Sequence, residues 1–425
     1  SSSVTGLVLG GITTWRQLSQ EVRLASDFAE SPFNFMIGGY VEDSELTTFI
    51  ENQVTPGPRF LQVIDGSTYS AFGQGMFDLT ESIELSGGVR WTREERDLAI
   101  TREGLPQPVS PASAVFENVS PELTVSWRPS PVFTMFATYR EGFKSGGFAT
   151  PLTGGAAFTP PGPDYRFEPE EVDGFEIGLH ADLLDSQLRI NAAVYDYNYA
   201  NLQVNSLDNS TGIPIIRVNN AAAASVTGAE FDFNWTPDAV DGLSIRGSVN
   251  YNDATFDRFD ASCYIGQTQA MGCTLGLNAT TGRFQAQSLA GRALPNASEW
   301  TGSVGASYEG ALTESLGFML SADTVYRSEY NPHPELTPGA LQDEVYFVNA
   351  GARLFSNNRS WELGLVGRNL TEEYRIASSS NAPQSGSGAL TGSTTPGGLA
   401  DLVGYANRGR EILLQLTLRP TDWGH

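Results

Sequence analysis

The sequence predicts an all-β protein whose antiparallel strands close into a transmembrane β-barrel. Three observations support this prediction: apolar and polar side chains alternate, short and long connections alternate, and the composition favours strands. Of the 425 residues only 17% are charged, below the roughly 25% usual in soluble domains, while 45 are glycine and 11% are aromatic. No segment approaches the roughly 18 consecutive apolar residues of a transmembrane helix, so the sequence excludes a helical membrane protein.

The acidic charge of the chain argues against one class of partner. The net charge of −24 and the pI near 4.4 are unsuited to nucleic acid, because binding to phosphates needs basic patches. The charge fits either a solubilising surface or the polar loops and lumen of a barrel. The mean hydropathy of −0.21 is compatible with a transmembrane barrel, since each strand needs only about 10 residues of alternating polarity.

Alternation with a period of two is the dominant pattern. From Ile83 to Thr92, for example, apolar side chains up to Trp91 alternate with polar ones such as Glu84 and Arg90. The pattern recurs at 175–183, 243–252, 300–309 and 361–368. Such runs predict about fifteen strands, near 14–27, 33–47, 67–79, 82–100, 115–128, 132–146, 171–184, 187–205, 213–236, 242–257, 299–310, 315–330, 344–356, 360–377 and 409–419.

The connections between these strands alternate strictly in length. Short connections with turn residues begin near Asp27, Thr80, Arg128, Leu184, Pro237, Gly310 and Ser356. Long connections lie near 48–66, 101–114, 147–170, 206–212, 258–298, 331–343 and 378–408. A soluble sandwich has no reason to lengthen every second connection, whereas an outer-membrane barrel has tight periplasmic turns and long extracellular loops. We therefore expect one barrel domain over 1–425, with the long loops outside the cell.

Aromatic residues and one irregular stretch refine this prediction. In hydrocarbon a sheet must close so that every backbone polar group is paired, with apolar side chains toward lipid and polar ones toward the lumen. Residues 188–199 switch their apolar face part-way along, which a β-bulge would explain. Aromatics that we assign to interfacial girdles, rather than to a sandwich core, are Trp91, Trp235, Trp300, Tyr308 and Trp361.

The two cysteines lie close together, with nine residues between Cys263 and Cys273. We expect a local disulfide in an oxidising compartment; the alternative is a pair of idle thiols. Zinc is disfavoured and no metal site is predicted, because none of the three histidines, His180, His333 and His425, has ligand spacing to the cysteines. The sequence begins at Ser1 without a secretory signal, so for an exported protein we expect that the start is missing.

Several stretches resemble TonB-dependent outer-membrane receptors. They are FATYREGFKSGGF at 136–148, EEVDGFEIGL at 170–179, LRINAAVYDY at 188–197, VTGAE at 226–230, GRNLTEEY at 367–374 and QLSQEVRLASD at 17–27. The resemblance implies a barrel of about 22 strands with a plugged lumen. This chain would hold the last fifteen or so, and the plug and seven strands would be absent from it. One departure is that the final strand does not end on an aromatic residue, unless Trp423 serves.

The function implied by the resemblance is active uptake of a scarce solute, most commonly a ferric siderophore. Partners would be outer-membrane lipid, the solute, and the TonB energy-coupling complex, which acts through the missing N-terminal part. No catalysis and no cofactor are implied. Candidates for solute contact in the loops and upper lumen are Tyr139, Arg140, Tyr264, Tyr330 and His333. The alternative interpretation of each is an ordinary girdle or loop residue without contact to the solute.

Other functions stay open at this point. Relatives take up cobalamin, glycans, other metals and plant-derived aromatics, and the lack of a His or Cys cluster argues only against a bare metal ion. A passive porin would lack a plug. A barrel enzyme would need a nucleophile and a base in reach of each other, which His180 beside Asp182 does not provide. A soluble or surface adhesive β-protein would not alternate its connection lengths.

Overall fold

Long antiparallel strands make up most of the protein in this computed structural model. The structure describes residues 9–52, 59–104, 111–149, 166–208, 215–279, 282, 284–381 and 402–419. The strands are β1 (Leu9–Ala25), β2 (Phe33–Asn52), β3 (Phe60–Thr80), β4 (Ile83–Arg102), β5 (Ala112–Ser130), β6 (Phe133–Lys144), β7 (Gly147–Phe148), β8 (Arg166–Phe167), β9 (Glu170–Leu183), β10 (Leu188–Asp208), β11 (Ile215–Trp235), β12 (Leu243–Ser262), β13 (Ala286–Ser288), β14 (Trp300–Ala311), β15 (Leu316–Arg327), β16 (Val345–Ser356), β17 (Trp361–Arg368), β18 (Ile376–Asn381), β19 (Leu402–Ala406) and β20 (Glu411–Leu418).

One sheet joins the long strands in chain order. It is 16-stranded and runs β1 to β6, β9 to β12, β14 to β17 and β20, with β13 paired to β12; β7–β8 and β18–β19 form separate two-stranded sheets. Within the described residues β1 and β20 are the two ends of this order. Each predicted strand corresponds to one long strand of the sheet, so the predicted antiparallel all-β fold is confirmed. Among the helices of the described part, none is long and apolar enough to cross a membrane.

The strands end in two rows, one on each side of the sheet, and we call these rows of strand ends its edges. The two edges differ in their connections. The short-turn edge carries 26–32, 81–82, 131–132, 184–187, 236–242, 312–315 and 357–360. Side chains close several of these turns: Thr80 Oγ1 accepts from the Ile83 amide at 3.0 Å, and Thr313 Oγ1 from the Leu316 amide at 3.1 Å. The long-connection edge carries every other link, the longest being 263–299 and 369–410.

Several strands extend further toward the long-connection edge than the sequence predicted. Residues 48–52 and 60–66 of the expected loop 48–66 are paired strands, and β12 continues to Ser262. These extensions are paired along the backbone, as where Ile50 lies opposite Phe60. At 60–66 apolar side chains lie on both faces, since Phe60 is buried and the adjacent Leu61 is exposed, which hides the alternation on which the prediction depended. The centres of the expected loops at 48–66, 101–114, 147–170 and 378–408, and Trp423, lie outside the described residues.

The two faces of the sheet have opposite character. The inner face buries polar side chains, among them Ser70, Ser86, Thr92, Ser126 and Thr138. The outer face exposes apolar ones. Two outer aromatic rows border this apolar band: a long-edge row of Tyr69, Trp91, Tyr139, Phe175, Tyr251, Trp300, Tyr326 and Tyr346, and a short-edge row of Phe33, Phe77, Trp127, Phe133, Trp235, Tyr308, Phe318 and Trp361. All five aromatics assigned to girdles from the sequence belong to these rows.

The bulge expected within 188–199 is absent. β10 pairs with both neighbours in unbroken register from Leu188 to Tyr199, and the first shift comes between Tyr199 and Leu202, beside Asn201 with φ of 53°. The apolar side chains therefore stay on the outer face up to Val194. Beyond it the outer face turns polar at Asp196, while inward-facing tyrosines begin on the other face. The switch marks the end of the apolar band and not a change in register.

Candidate functional site

The inner face of β6 and β9 to β12 carries a fixed polar and aromatic surface. Tyr195, Tyr197 and Tyr199 alternate along β10 and point inward. The Tyr197 hydroxyl donates to Glu176 at 3.1 Å, and Arg140 donates to the same carboxylate at 3.1 Å. The Tyr195 hydroxyl donates to Asn252 at 3.1 Å. The rings of Tyr195 and Tyr197 are therefore held at defined positions on this wall.

Glycines on the neighbouring strands make room for these rings. A side chain at Gly174 would collide with the Tyr197 ring, and one at Gly228 would collide with the Tyr195 ring and with a backbone carbonyl. Gly178 lies under Phe136 in the same way. These are the glycines of the EEVDGFEIGL and VTGAE segments. A physical reason for those motifs is thus that inward aromatics must lie flat against the sheet.

A second polar network lies on the same face, closer to the short-turn edge. His180 Nδ1 is 2.6 Å from Asn191 Oδ1, and Asn191 Nδ2 donates to Asp232 at 2.8 Å. Arg189 forms an ion pair with Asp182 at 2.9 Å. His180 thus bonds across strands to an amide and not to the adjacent Asp182, so the arrangement is that of a satisfied polar wall.

Connections at the long-connection edge fold into a compact structure that we call the cap: residues 263–299 and 328–344 with β18 and β19. Its apolar side chains Leu289 and Leu336 form one buried cluster with Phe256 and Phe259 of β12 and Ala224 of β11. Gln287 links its parts, since its side chain bonds to Gln267 at 2.9 Å and donates to the Ser262 and Glu335 carbonyls. The cap is therefore folded and not an open set of loops.

Both cysteines lie in the cap. The Sγ atoms of Cys263 and Cys273 are bonded to each other, with Cα atoms 5.7 Å apart. The bond closes a loop that contains the one-turn 3-10 helix Gln269–Met271. Tyr264 is buried in this loop, and its amide donates to the Gln267 side chain at 3.1 Å.

Three further cap side chains are buried: Tyr330, His333 and Glu335. The Tyr330 hydroxyl donates to the Ile376 carbonyl at 2.6 Å, while Arg327 lies 3.9 Å and Arg375 5.8 Å from its ring centre. His333 Nδ1 accepts from the Glu335 amide at 3.2 Å, and its Nε2 has no hydrogen-bond partner within the described part of the chain. Burial lowers the pKa of His333 and raises the pKa of Glu335 to about 7.

The structure separates the five residues proposed from sequence. Tyr264, Tyr330 and His333 are buried parts of the cap, and Arg140 lies on the inner wall beside Glu176. Tyr139 instead faces outward in the long-edge row, where its ring lies 4.8 Å from Phe175. The inward tyrosines of β10 were not among the candidates, although their alternation is visible in the sequence, because the bulge expected in 188–199 left the face of these residues unassigned.

The fold and this surface define a class of protein: the wall of a transmembrane β-barrel with an apolar outside, a polar inside and a folded cap at one edge. The chain belongs to the TonB dependent receptor-like β-barrel family, which its residues 7–370 match. That family is made up of transport receptors. The chain is therefore placed in a family of receptors and not of enzymes.

Solved structures show the same fold. The chain is similar to the ferric yersiniabactin uptake receptor FyuA from Yersinia pestis, with a TM-score of 0.71 and 14% identity over 96% of this chain and 55% of that one. For the siderophore receptor PiuA from Acinetobacter baumannii the TM-score is 0.67 and the identity 16%, over 96% of this chain and 56% of that one. For the copper transporter OprC the TM-score is 0.64 and the identity 13%, over 97% of this chain and 57% of that one. The chain thus spans little more than half the length of these proteins.

Proposed function

We propose that this chain is a barrel domain over 1–425 in an outer-membrane receptor that binds and imports a scarce solute, a ferric siderophore. The observation that supports this most directly is the inner wall of fixed tyrosines and paired charges below a folded cap. Such a surface suits selective binding, where aromatic and polar groups enclose a ligand. Of the proteins that share the fold, PiuA is described as a siderophore receptor and FyuA as a ferric yersiniabactin uptake receptor.

The outer aromatic rows support a place in the outer membrane of a Gram-negative bacterium. From Phe318 to Tyr326 the strand rises about 27 Å at about 3.4 Å per residue. A strand tilt of about 40° reduces this to roughly 21 Å, close to the apolar band of about 25 Å in such barrels. The short-turn edge then faces the periplasm, and the cap lies outside the cell.

Among the residues proposed from sequence, Arg140 is the one whose position suits direct contact with the solute. Its guanidinium is on the inner wall, half-exposed, and shares Glu176 with Tyr197. We assign Tyr264, Tyr330 and His333 to the cap that covers the solute, because their side chains are buried within it. Energy would come from the TonB complex through a plug, as membership of the family implies.

The test is uptake by cells that carry the full-length receptor, compared with cells that lack it, in the presence and absence of the proton motive force. Energy-dependent, saturable uptake of one ferric siderophore is the expected result. Uptake of many small solutes that ignores the proton motive force would instead establish a passive porin. Energy-dependent uptake of cobalamin or a glycan would keep the receptor and replace the substrate.

A further inference from the structure

A recess on the inner face lies between β15 to β17 and the segment 402–411. Its volume is about 560 Å³, within the range of sites for small ligands. Three arginines line it, Arg368, Arg375 and Arg408, together with Phe347 and Tyr405. Glu411 is the one carboxylate among its lining residues.

The recess lies at the level of the long-edge aromatic row. Phe347 points inward, and the next residue along β16, Tyr346, belongs to that row; Val325 and Tyr326 have the same relation on β15. A solute entering from the cap side would therefore meet this recess at the outer boundary of the membrane. The recess is thus in the part of the lumen that an external ligand reaches first.

The charge of the recess is opposite to that of the chain. The protein has 49 acidic and 25 basic residues, and inner-wall arginines such as Arg140 and Arg189 are paired with carboxylates. In the recess Arg408 pairs with Glu411 at 3.3 Å. The guanidinium groups of Arg368 and Arg375 have no ion pair or hydrogen bond with any residue that the structure describes. Arg375 lies 5.8 Å from the centre of the Tyr330 ring, a contact that does not neutralise its charge. Within the described part of the chain, both arginines therefore keep a positive charge that no carboxylate pairs.

Two asparagines fix the backbone that carries these arginines. Asn369 Nδ2 donates to the carbonyls of Glu373 at 2.8 Å and of Arg408 at 3.1 Å. Asn407 Oδ1 accepts from the Arg375 amide at 2.5 Å, and its Nδ2 donates to the Arg408 carbonyl at 2.9 Å. The segments on both sides of the recess are thus tied together before any ligand binds, which lowers the entropic cost of binding.

We propose that this recess binds an anionic oxygen-rich group of the imported solute, so that the substrate class is a negatively charged ferric chelate of the catecholate or carboxylate type. A planar guanidinium donates two parallel hydrogen bonds to such groups, and the rings of Phe347 and Tyr405 offer apolar contact to an aromatic chelator. The inference rests on the proposed function and adds the charge of the ligand to it. A neutral or cationic chelate would leave Arg368 and Arg375 uncompensated.

The test compares two ferric complexes of similar size, an anionic tricatecholate and a neutral trihydroxamate, for binding to the purified full-length receptor. The expected result is that the wild type binds the anionic complex more tightly. Arg368→Gln and Arg375→Gln should each weaken its binding about tenfold, without changing binding of the neutral complex. Arg292→Gln removes the same charge from an exposed position of the cap outside the recess and should have no effect.

Two results would overturn the inference. One is a wild type that prefers the neutral complex or binds neither. The other is equal loss for both complexes in the arginine variants when circular dichroism shows that they are folded. Failure of the proposed function looks different, because uptake would then not depend on the proton motive force, whatever the charge of the complex.

Discussion

At the scale of single residues, the contact between Gly228 and Tyr195 decides whether the inner wall can form. A methyl group at position 228 would meet the Tyr195 ring and the Tyr251 carbonyl, and the carbonyl belongs to a paired strand that cannot move freely. We predict that Gly228→Ala destabilises the full-length receptor by about 1–3 kcal/mol. The measurement is the denaturant midpoint in detergent micelles.

Gly73→Ala is the matched control for this substitution. Its added methyl group would have its closest neighbour at 3.5 Å, an ordinary contact, so stability should change little. An unaltered midpoint for Gly228→Ala would show that the ring over this glycine moves aside at no cost.

The buried carboxyl group of Glu335 predicts a pH dependence of the cap. Its pKa is raised to about 7 by burial, from 4.5 for an exposed group, so the folded cap keeps a proton that the unfolded chain releases. Stability should therefore fall as the pH rises from 4.5 to about 7, by at most about 3 kcal/mol, and stay level above that. His333, whose pKa is lowered, acts in the opposite direction below its unfolded value near 6.5.

Glu335→Gln separates the two groups. Amide hydrogen exchange in 328–344, corrected for intrinsic rates, should show that the wild type loses protection between pH 5 and pH 8 relative to this variant. His333 is present in both proteins, so its contribution cancels in the comparison. Identical pH profiles for the two proteins would mean that Glu335 reaches water in the folded cap.

At the scale of elements, the strands were predictable where their two faces differ and not where the faces are alike. β3 shows both cases: in the predicted part, 67–79, the outward Tyr69 alternates with the inward Ser70, whereas before it Phe60 and Leu61 lie on opposite faces although both are apolar. The backbone ladder continues through both parts. Pattern alone therefore gives the strand and its face but underestimates its length.

The candidate site was less predictable than the fold. Tyr139 and Arg140 were both candidates for solute contact, although adjacent strand residues face opposite sides of a sheet, and only Arg140 faces inward. That Arg368 and Arg375 form no ion pair among the described residues depends on the path of chain segments that are distant in sequence, 369–375 and 402–411. No local pattern encodes such a path, so only the three-dimensional structure reveals the recess.

The disulfide belongs to this scale, since it closes one element of the cap. Cys263 and Cys273 are 10 residues apart, and closing a loop of this size in the unfolded chain stabilises the folded form by about 2–3 kcal/mol. We predict that Cys263→Ser with Cys273→Ser increases protease cleavage within 263–299. The unfolding midpoint of the barrel should stay the same, because the long strands do not depend on this loop.

Reduction of the wild type is the control for that double substitution, because it breaks the same bond without changing side chains. Both treatments should give the same cleavage sites. Cleavage that rises after substitution but not after reduction would indicate that the serines, and not the loss of the bond, disturb the cap.

At the scale of the whole molecule, the orientation of the sheet in a bilayer makes a prediction that a soluble β-protein does not share. Ala322 lies on the outer face of β15, midway between Phe318 and Tyr326, and Ser321 beside it lies on the inner face. Both side chains are exposed to the surroundings of the sheet. In water the two positions should tolerate a charge equally. In a membrane Ala322 would face hydrocarbon, whereas Ser321 would face the lumen.

We therefore predict that Ala322→Arg destabilises the receptor in lipid bilayers by about 2–4 kcal/mol, the cost of an arginine at the midplane of a barrel wall. Ser321→Arg should change its stability by much less. Reversible unfolding in phospholipid vesicles measures both, and the difference between adjacent residues removes any general effect of added charge. If the two substitutions cost the same, the outer face of β15 meets water and not lipid, and the membrane position of the sheet would have to be abandoned.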